Sequence, residues 1–402
     1  MTPLESLQKA CAARPGAEPD AVQGVVPAWV AEPATVAEAA EVMRVAAEHG
    51  LAVVPRGAGT RLSWGMPPSR CDLLVDTRRL DRVIEHAAGD MVAKVEAGLP
   101  MDRLAEVLAA QHQRLALDIP LAGATVGGTL ATAAAGPLRL RYGTARDLLI
   151  GVTIVRADGG VAKAGGKVVK NVAGYDLGKL FTGSYGTLGL IVEAAFRLHP
   201  LPVAQTYITC EVADAARAHR AVQAVLHSSI VPSAVVTDGV APGPITVAVL
   251  VEGVAEGIAA RARMVAELLG DDAQGGAAAP VWWGRYPEGE TLLDVTAPPA
   301  LLPVIMASAG EGVRVRGSAG SGHWHLGLPG DRPPEAVGAL VGGLRSALAG
   351  RGGSVVVRVA PGEVREHLDM WGPVASLALQ RRVKDQFDPD HRLAPGRFVG
   401  GI

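Results

Sequence analysis

Three glycine-rich segments are the places where this chain of 402 residues could do chemistry. The first two are VVPRGAGT (53–60) and PLAGATVGGTLATAAAG (120–136). In the first, Pro55 ends the apolar run Ala52-Val53-Val54. Gly57 and Gly59 then free the next turn to take positive φ and to aim consecutive N–H groups outward. Such a nest of amides binds an anion without a lysine. In the second, Thr125, Gly127 and Gly128 open an alanine-rich segment that can start a helix, whose N-terminus is another phosphate site. Together the two suggest one extended phosphate-bearing ligand held from two sides. The common nucleotide motifs do not fit, because the third glycine of a Rossmann fingerprint falls on Leu62 and no segment reads as a P-loop. A third segment, KVVKNVAGYDLGKLFTGSYGTLGLIVEAAFRLHP (167–200), packs Gly174, Gly183, Gly186 and Gly189 around aromatic and apolar residues, then runs into a strand.

The elements that must position these turns follow from periodicity and caps. Thr35-Val36-Ala37-Glu38 is a capping box that opens an amphipathic helix to about His49. Strands follow near 52–54, 72–76 and 92–97, then a helix over 101–113. Asp158-Gly159-Gly160 separates LLIGVTIVRA from VAKAG as a hairpin would. This block ends near Pro200 and Pro202. From about 205 the pattern becomes strand, helix (214–228), two strands, helix (255–269). A second round has a strand at 291–295, a helix at 299–309, strands at 313–317 and 323–328, a helix at 334–349 and a strand at 354–359. Repeated βαββαβ units predict a ferredoxin-like antiparallel sheet with helices on one face. Asp271–Pro280 reads as a loose loop, and a last helix over about 373–387 carries the chain back to the first block. The expected class is α+β, with domains at 1–202 and 203–372 and a closing segment at 373–402.

Composition limits the function. Net charge is −2, so neither nucleic acid nor an anionic membrane surface is an expected partner. Cys11, Cys71 and Cys210 have no paired spacing, which argues for a reducing compartment and against a disulfide framework or an iron–sulfur site. Residues 1–30 lack the pattern of a secretory signal. No apolar run approaches the ~20 residues of a spanning helix. A cytoplasmic protein is expected, peripheral to the inner membrane only through partners.

The order PRGAGT, TVGGTLAT, KNVAGYDLGKLFTGSYGTLGLI resembles the PCMH-type FAD-binding domain of the vanillyl-alcohol oxidase and D-lactate dehydrogenase flavoproteins. The C-terminal KDQFDPDHRLAPGRF (384–398) resembles the closing segment of the same superfamily. In pattern the chain is most similar to the second flavin-binding subunit of bacterial glycolate oxidases. The resemblance is strong over about 30–200, thin over 203–372 and good again at the C-terminus. It implies a two-part FAD domain under a cap, with Arg56, Gly57, Ala58, Gly59, Thr60 and Ser63 around the pyrophosphate. Pro120, Gly123, Ala124, Thr125, Gly127, Gly128, Ala131 and Thr132 are implied on the other side, and Gly186, Gly189 and Ile191 near the adenine. For the alanines and Ile191, plain core packing is the competing reading. No histidine occurs in 50–85, where many relatives attach flavin covalently, so dissociable FAD is expected. The implied setting is glycolate oxidation beside a catalytic flavin subunit and an iron–sulfur subunit. The alternatives are a free-standing 2-hydroxy-acid dehydrogenase and a subunit that binds FAD for assembly or electron relay only.

Relatives carry a cap motif, His-Ala-Gly-Asp-Gly-Asn-x-His. Here the same place reads Ser318-Ala319-Gly320-Ser321-Gly322-His323-Trp324-His325. The last histidine survives, the first is serine, and His323 replaces asparagine. On a strand the two imidazoles share a face but lack a third ligand, so no metal is expected. One reading is a decayed active site. The other keeps His325 as base, with His323 beside it and Arg314, Arg316 or Arg397 holding a carboxylate. Asn171, Tyr175 and Asp176 read as anchors for a supporting helix. Tyr185 stands where active relatives have glutamate, and Ala394 replaces an asparagine of the closing motif. Arg397 is also a candidate to favour anionic reduced flavin. Trp282, Trp283 and Trp371 read as cap packing or a partner surface.

Overall fold

The computed structural model describes residues 1–166 and 175–402, and the chain divides into two compact units. The first comprises Met1–Ala135, Thr144–Leu201 and Val374–Ile402; the second comprises Gly136–Gly143 and Pro202–Pro373.

Two sheets organise the first unit. One has the strands Ala12–Pro15, Trp29–Glu32, Leu73–Asp76 and Val53–Arg56 in that spatial order, the last three parallel. Leu73–Asp76 is buried along its whole length, as expected of a parallel strand covered on both faces. The helix Val36–Glu48 begins at the Thr35 cap, whose hydroxyl accepts from the Glu38 amide. It buries Ala39, Val42, Met43 and Ala46 with Leu73 and Val75. The second sheet is antiparallel, in the order Val83–Ala87, Val92–Glu96, Leu190–Arg197, Leu149–Val155, Val161–Gly165. Its last two strands form the hairpin predicted at Asp158-Gly159-Gly160.

The C-terminal segment completes this unit. Val53 donates to Arg392 O and accepts from Ala394 N, so the closing segment lies beside the strand that leads into the first glycine turn. The helix Leu377–Phe387 supplies Lys384, 1% exposed on its side chain. Its ammonium donates to Thr187 O, Leu393 O and the Asp388 carboxylate. Three acceptors satisfy a buried ammonium that would otherwise be strongly destabilising.

In the second unit both predicted rounds are present. The strands Ala204–Val212, Ala234–Ala241, Ile245–Gly253 and Gln274–Gly276 form one round. Thr291–Thr296, Val313–Ser318, His323–Leu328 and Ser354–Val359 form the other. Within each, the order across the sheet is fourth, first, third, second, as a split βαβ unit generates. The rounds join along Ala234–Ala241 and Val313–Ser318 to give one eight-stranded antiparallel sheet. Gln274–Gly276 is an edge strand inside the segment expected to be a loose loop; its glycines offer no side-chain alternation to read. The excursion Gly136–Gly143 also belongs here, because Leu138 and Tyr142 pack with Tyr207, Trp282 and Trp283, and Tyr142 Oη donates to Glu252. Trp282 and Trp283, both half-buried, thus pack within this unit.

Candidate functional site

In the first unit an open cleft is lined by the turn that follows the strand Val53–Arg56. Arg56, Gly57, Ala58, Gly59 and Thr60 form one wall; Thr125, Gly128, Ala131 and Thr132 form a second. Tyr185, Gly186 and Arg397 close it. The two glycine-rich stretches, far apart in sequence, thus meet around one space. Gly59 has φ +78°, as expected, but Gly57 does not enter the left-handed region. Its glycine serves close approach instead, since a Cβ there would lie 2.2 Å from Thr125 Oγ1.

The amides divide unequally between the walls. Those of Ala58, Gly59 and Thr60 have no protein partner among the described residues. Those at the start of the helix Val126–Thr132 are already committed: Val126 to Leu99 O, Gly127 to Ala97 O, Gly128 to Thr125 Oγ1 and Thr129 to Thr125 O. The expected phosphate site at that helix N-terminus is therefore not available, and the open amide nest is the 58–60 turn. Gly127 instead packs on the sheet, where a Cβ would meet Ala97 Cβ at 2.9 Å.

Several predicted residues lie off this cleft. Ser63 and Gly123 are exposed, Pro120 is half-buried, and Ala124, Gly189 and Ile191 are buried away from it. Gly189 packs near Ile154 and Phe181. Asn171 and Gly174 lie outside the described residues, and Tyr175 is 91% exposed. The Arg56 side chain is not a free cation, because it bonds Asp20 and Asp76. Sequence reasoning missed Arg61, which lies over the Trp64 ring, and marked Tyr185 only as a departure from the relatives' glutamate; Tyr185 lines the cleft, adopts φ +56° and packs on Phe398. The Gly-Ser-Tyr-Gly spacing was the available signal for Tyr185.

The second unit brings polar residues into one row across its sheet. Asp238 is opposite Arg316, Arg316 opposite His325, and His325 opposite Asp294. Arg316 Nε donates to Asp238 at 2.7 Å, and Arg314 reaches the other oxygen at 2.8 Å. Arg358 bonds Asp294 through Nε at 2.8 Å, and His323 Nε2 lies 3.1 Å from the other oxygen. Tyr286 meets His325 edge-on at 4.7 Å, and the two imidazoles are 4.8 Å apart. Trp324, between them in sequence, faces away and donates to Thr237 Oγ1.

Burial sets the charge state of the row. It pushes His325 down to about 4 and His323 well below its usual value, so both are neutral at pH 7. Burial opposes ionisation of Asp294, but the neighbouring cationic groups, Arg358 above all at neutral pH, outweigh it and hold the carboxyl below the usual range. Asp294, His323 and His325 offer ligand atoms within 4.8 Å of one another. The expectation that the histidines lack a third ligand is thus corrected, since the third donor comes from a neighbouring strand 29 positions from His323. Its carboxylate is, however, already bonded to Arg358.

Comparison with known proteins names the cofactor. A family model for an FAD binding domain matches residues 27–165. An uncharacterized FAD-linked oxidoreductase of Mycobacterium tuberculosis is 28% identical over 420 positions, covering 93% of this chain and 91% of the relative. The chain is an FAD-linked oxidoreductase. Glycolate oxidase subunit GlcD of Bacillus subtilis is 31% identical to this oxidoreductase over 211 positions, 52% of this chain and 44% of the relative. A D-lactate dehydrogenase of Archaeoglobus fulgidus is 37% identical over 174 positions, 42% and 38% of the two chains. Among solved structures, alkyldihydroxyacetonephosphate synthase superposes with a TM-score of 0.71 at 17% identity, covering 92% of this chain and 76% of that one. Chitooligosaccharide oxidase gives 0.67 at 16% identity, covering 96% and 97%. These share the fold, a vanillyl-alcohol-oxidase-like arrangement of an FAD domain and a large antiparallel sheet.

The oxidoreductase's cleft fits the cofactor on its own evidence. An open amide nest, a position that admits no Cβ and a buried guanidinium converge there. Among the described residues no helix is long and apolar enough to cross a membrane.

Proposed function

We propose that this oxidoreductase is the FAD-carrying subunit of a complex that oxidises a small 2-hydroxy acid, glycolate being the simplest. In it the chain works beside a catalytic flavin subunit and an iron–sulfur subunit. The observation that carries the reading is the meeting of the 56–60 and 125–132 turns around one cleft. Bound flavin supplies hydride acceptance and onward electron transfer. The chain's own residues hold the cofactor: the 58–60 amides take the diphosphate, and the turn at Tyr185-Gly186 bounds the cleft. Among the described residues the lining includes neither histidine nor cysteine, which supports dissociable FAD.

The polar row supports a subunit that depends on partners. Arg314 and Arg316 are both bonded to Asp238, and Arg358 to Asp294, so these three guanidiniums already have carboxylates. The second reading, a dehydrogenase acting alone, draws on His325, whose Nδ1 is buried with no hydrogen-bond partner and can accept a proton. Adding glycolate or D-lactate anaerobically to the purified flavoprotein separates the two. The complex reading expects no bleaching of the flavin until partner subunits are added. Rapid bleaching of the isolated chain would refute it in favour of the second. Acid precipitation should release all yellow flavin into the supernatant; colour retained in the pellet would overturn the dissociable cofactor.

A further inference from the structure

We propose that Arg397 is the side-chain counter-charge for the FAD diphosphate, carried to the cleft by the closing segment of the chain. The proposal rests on the reading of that cleft as the diphosphate site.

Arg397 is 4% exposed and lines the cleft. One terminal nitrogen donates to Leu62 O and Trp64 O, both at 2.8 Å; the other has no acceptor. No carboxylate pairs with it among the described residues. Burial pushes its pKa down to about 10, which still leaves the guanidinium charged at pH 7. A buried cation without a counter-charge is strongly unfavourable, so the site is built to receive an anion. Arg56 makes the contrast: it lines the same cleft but is spent on Asp20 and Asp76.

The partner for Arg397 is indicated by what else faces the cleft. The 58–60 turn presents amides without acceptors, a nest suited to a phosphate. A nest joined by a guanidinium suits a multiply charged anion such as a diphosphate. The arginine is also fixed in place. Gln23 Nε2 shares the Leu62 and Trp64 carbonyls, Met66 N donates to Arg397 O, and Ser69 N donates to Pro395 O. Gly396 between them has φ +82° and touches Ser69, so the turn admits little else. Arg397 itself, with Pro395 and Gly396, lies outside the 27–165 stretch that the FAD-domain model matches.

The test compares apo-protein titrated with FAD and with riboflavin, which has no diphosphate, in the full-length wild type, Arg397→Met and Arg397→Lys. Arg397→Met should raise the Kd for FAD by about ten- to hundredfold and leave that for riboflavin unchanged. Arg397→Lys should recover part of the loss, and the rise in melting temperature on adding FAD should shrink in the same order. Equal weakening of FAD and riboflavin would mean a deformed turn and would overturn the proposal. So would unchanged FAD affinity in a variant whose apo form melts lower, which is the mark of a purely structural arginine. If the wild type itself takes up no FAD, the cleft reading fails first, and that outcome is visible before any variant is made.

Discussion

Replacing Gly57 by alanine tests whether two turns 68 positions apart in sequence are in contact. The added Cβ would lie 2.2 Å from Thr125 Oγ1, 3.2 Å from its Cβ and 3.3 Å from Cγ2. Gly57 is not in the left-handed region, so alanine brings no backbone strain of its own. Turning Thr125 away is costly, because one of its two other χ1 rotamers swings the methyl towards the same place. Rotation also removes the hydroxyl from the Gly128 amide it caps. Losing the cap costs about 1 kcal/mol, and overpacking costs about 1–3 kcal/mol. We therefore expect Gly57→Ala to weaken apo-protein stability by about 2–4 kcal/mol and FAD affinity by at least about tenfold. Thr125→Ala alone should cost about 1 kcal/mol by the cap. In the double variant the clashing oxygen and methyl are gone, so its loss should fall short of the sum by about 1–3 kcal/mol. FAD titrations of the four proteins carry the cycle without assuming two-state unfolding of a two-unit chain. Additivity within about 0.5 kcal/mol would refute the contact.

Other expectations follow from the same geometry. Gly128→Asp should abolish FAD uptake, because a carboxylate would enter a cleft meant for an anion, whereas Gly128→Asn should retain measurable flavin absorbance; equal loss would point to bulk and not charge. Lys384→Met leaves Asp388 buried without its cation and should cost about 3–5 kcal/mol, seen as a lower melting temperature and faster proteolysis of 374–402. His325 is neutral in the fold but protonates near its usual value when unfolded, so the unfolded chain binds more protons between about pH 6.5 and 4. Stability should be complete above 6.5 and fall as pH drops through that window. His325→Gln should flatten the fall between pH 7 and 4.5 in thermal scans, and an unchanged slope would assign the loss elsewhere.

Much of the architecture was legible because local signals and tertiary packing agree. The Thr35 cap, the hairpin at Asp158-Gly159-Gly160 and the two strand–helix rounds after 204 sit close to where periodicity places them. The short edge strand at Gln274–Gly276 has no apolar alternation to reveal it. At the site, glycine spacing marked both walls of the cleft but could not say why each glycine is there. Gly57 answers to Thr125 and Gly127 to Ala97, contacts that exist only once the chain is folded. The unpaired state of Arg397 was equally invisible, since it depends on carboxylates being elsewhere in space. The same holds for Asp294, which reaches the histidines through strand pairing.

The first unit is interrupted by a long insertion, and its last pieces, Val374–Ile402, are made after the whole second unit. During synthesis, the strand Val53–Arg56 must wait for Arg392 and Ala394, and the carbonyl of Thr187 for Lys384. Domains emerging from the ribosome tend to fold N-terminal first, yet this one is barred from finishing that way. Assembly of the cleft is thereby deferred until the second unit has been made, and a polypeptide ending before Val374 would lack Arg397, which lines it.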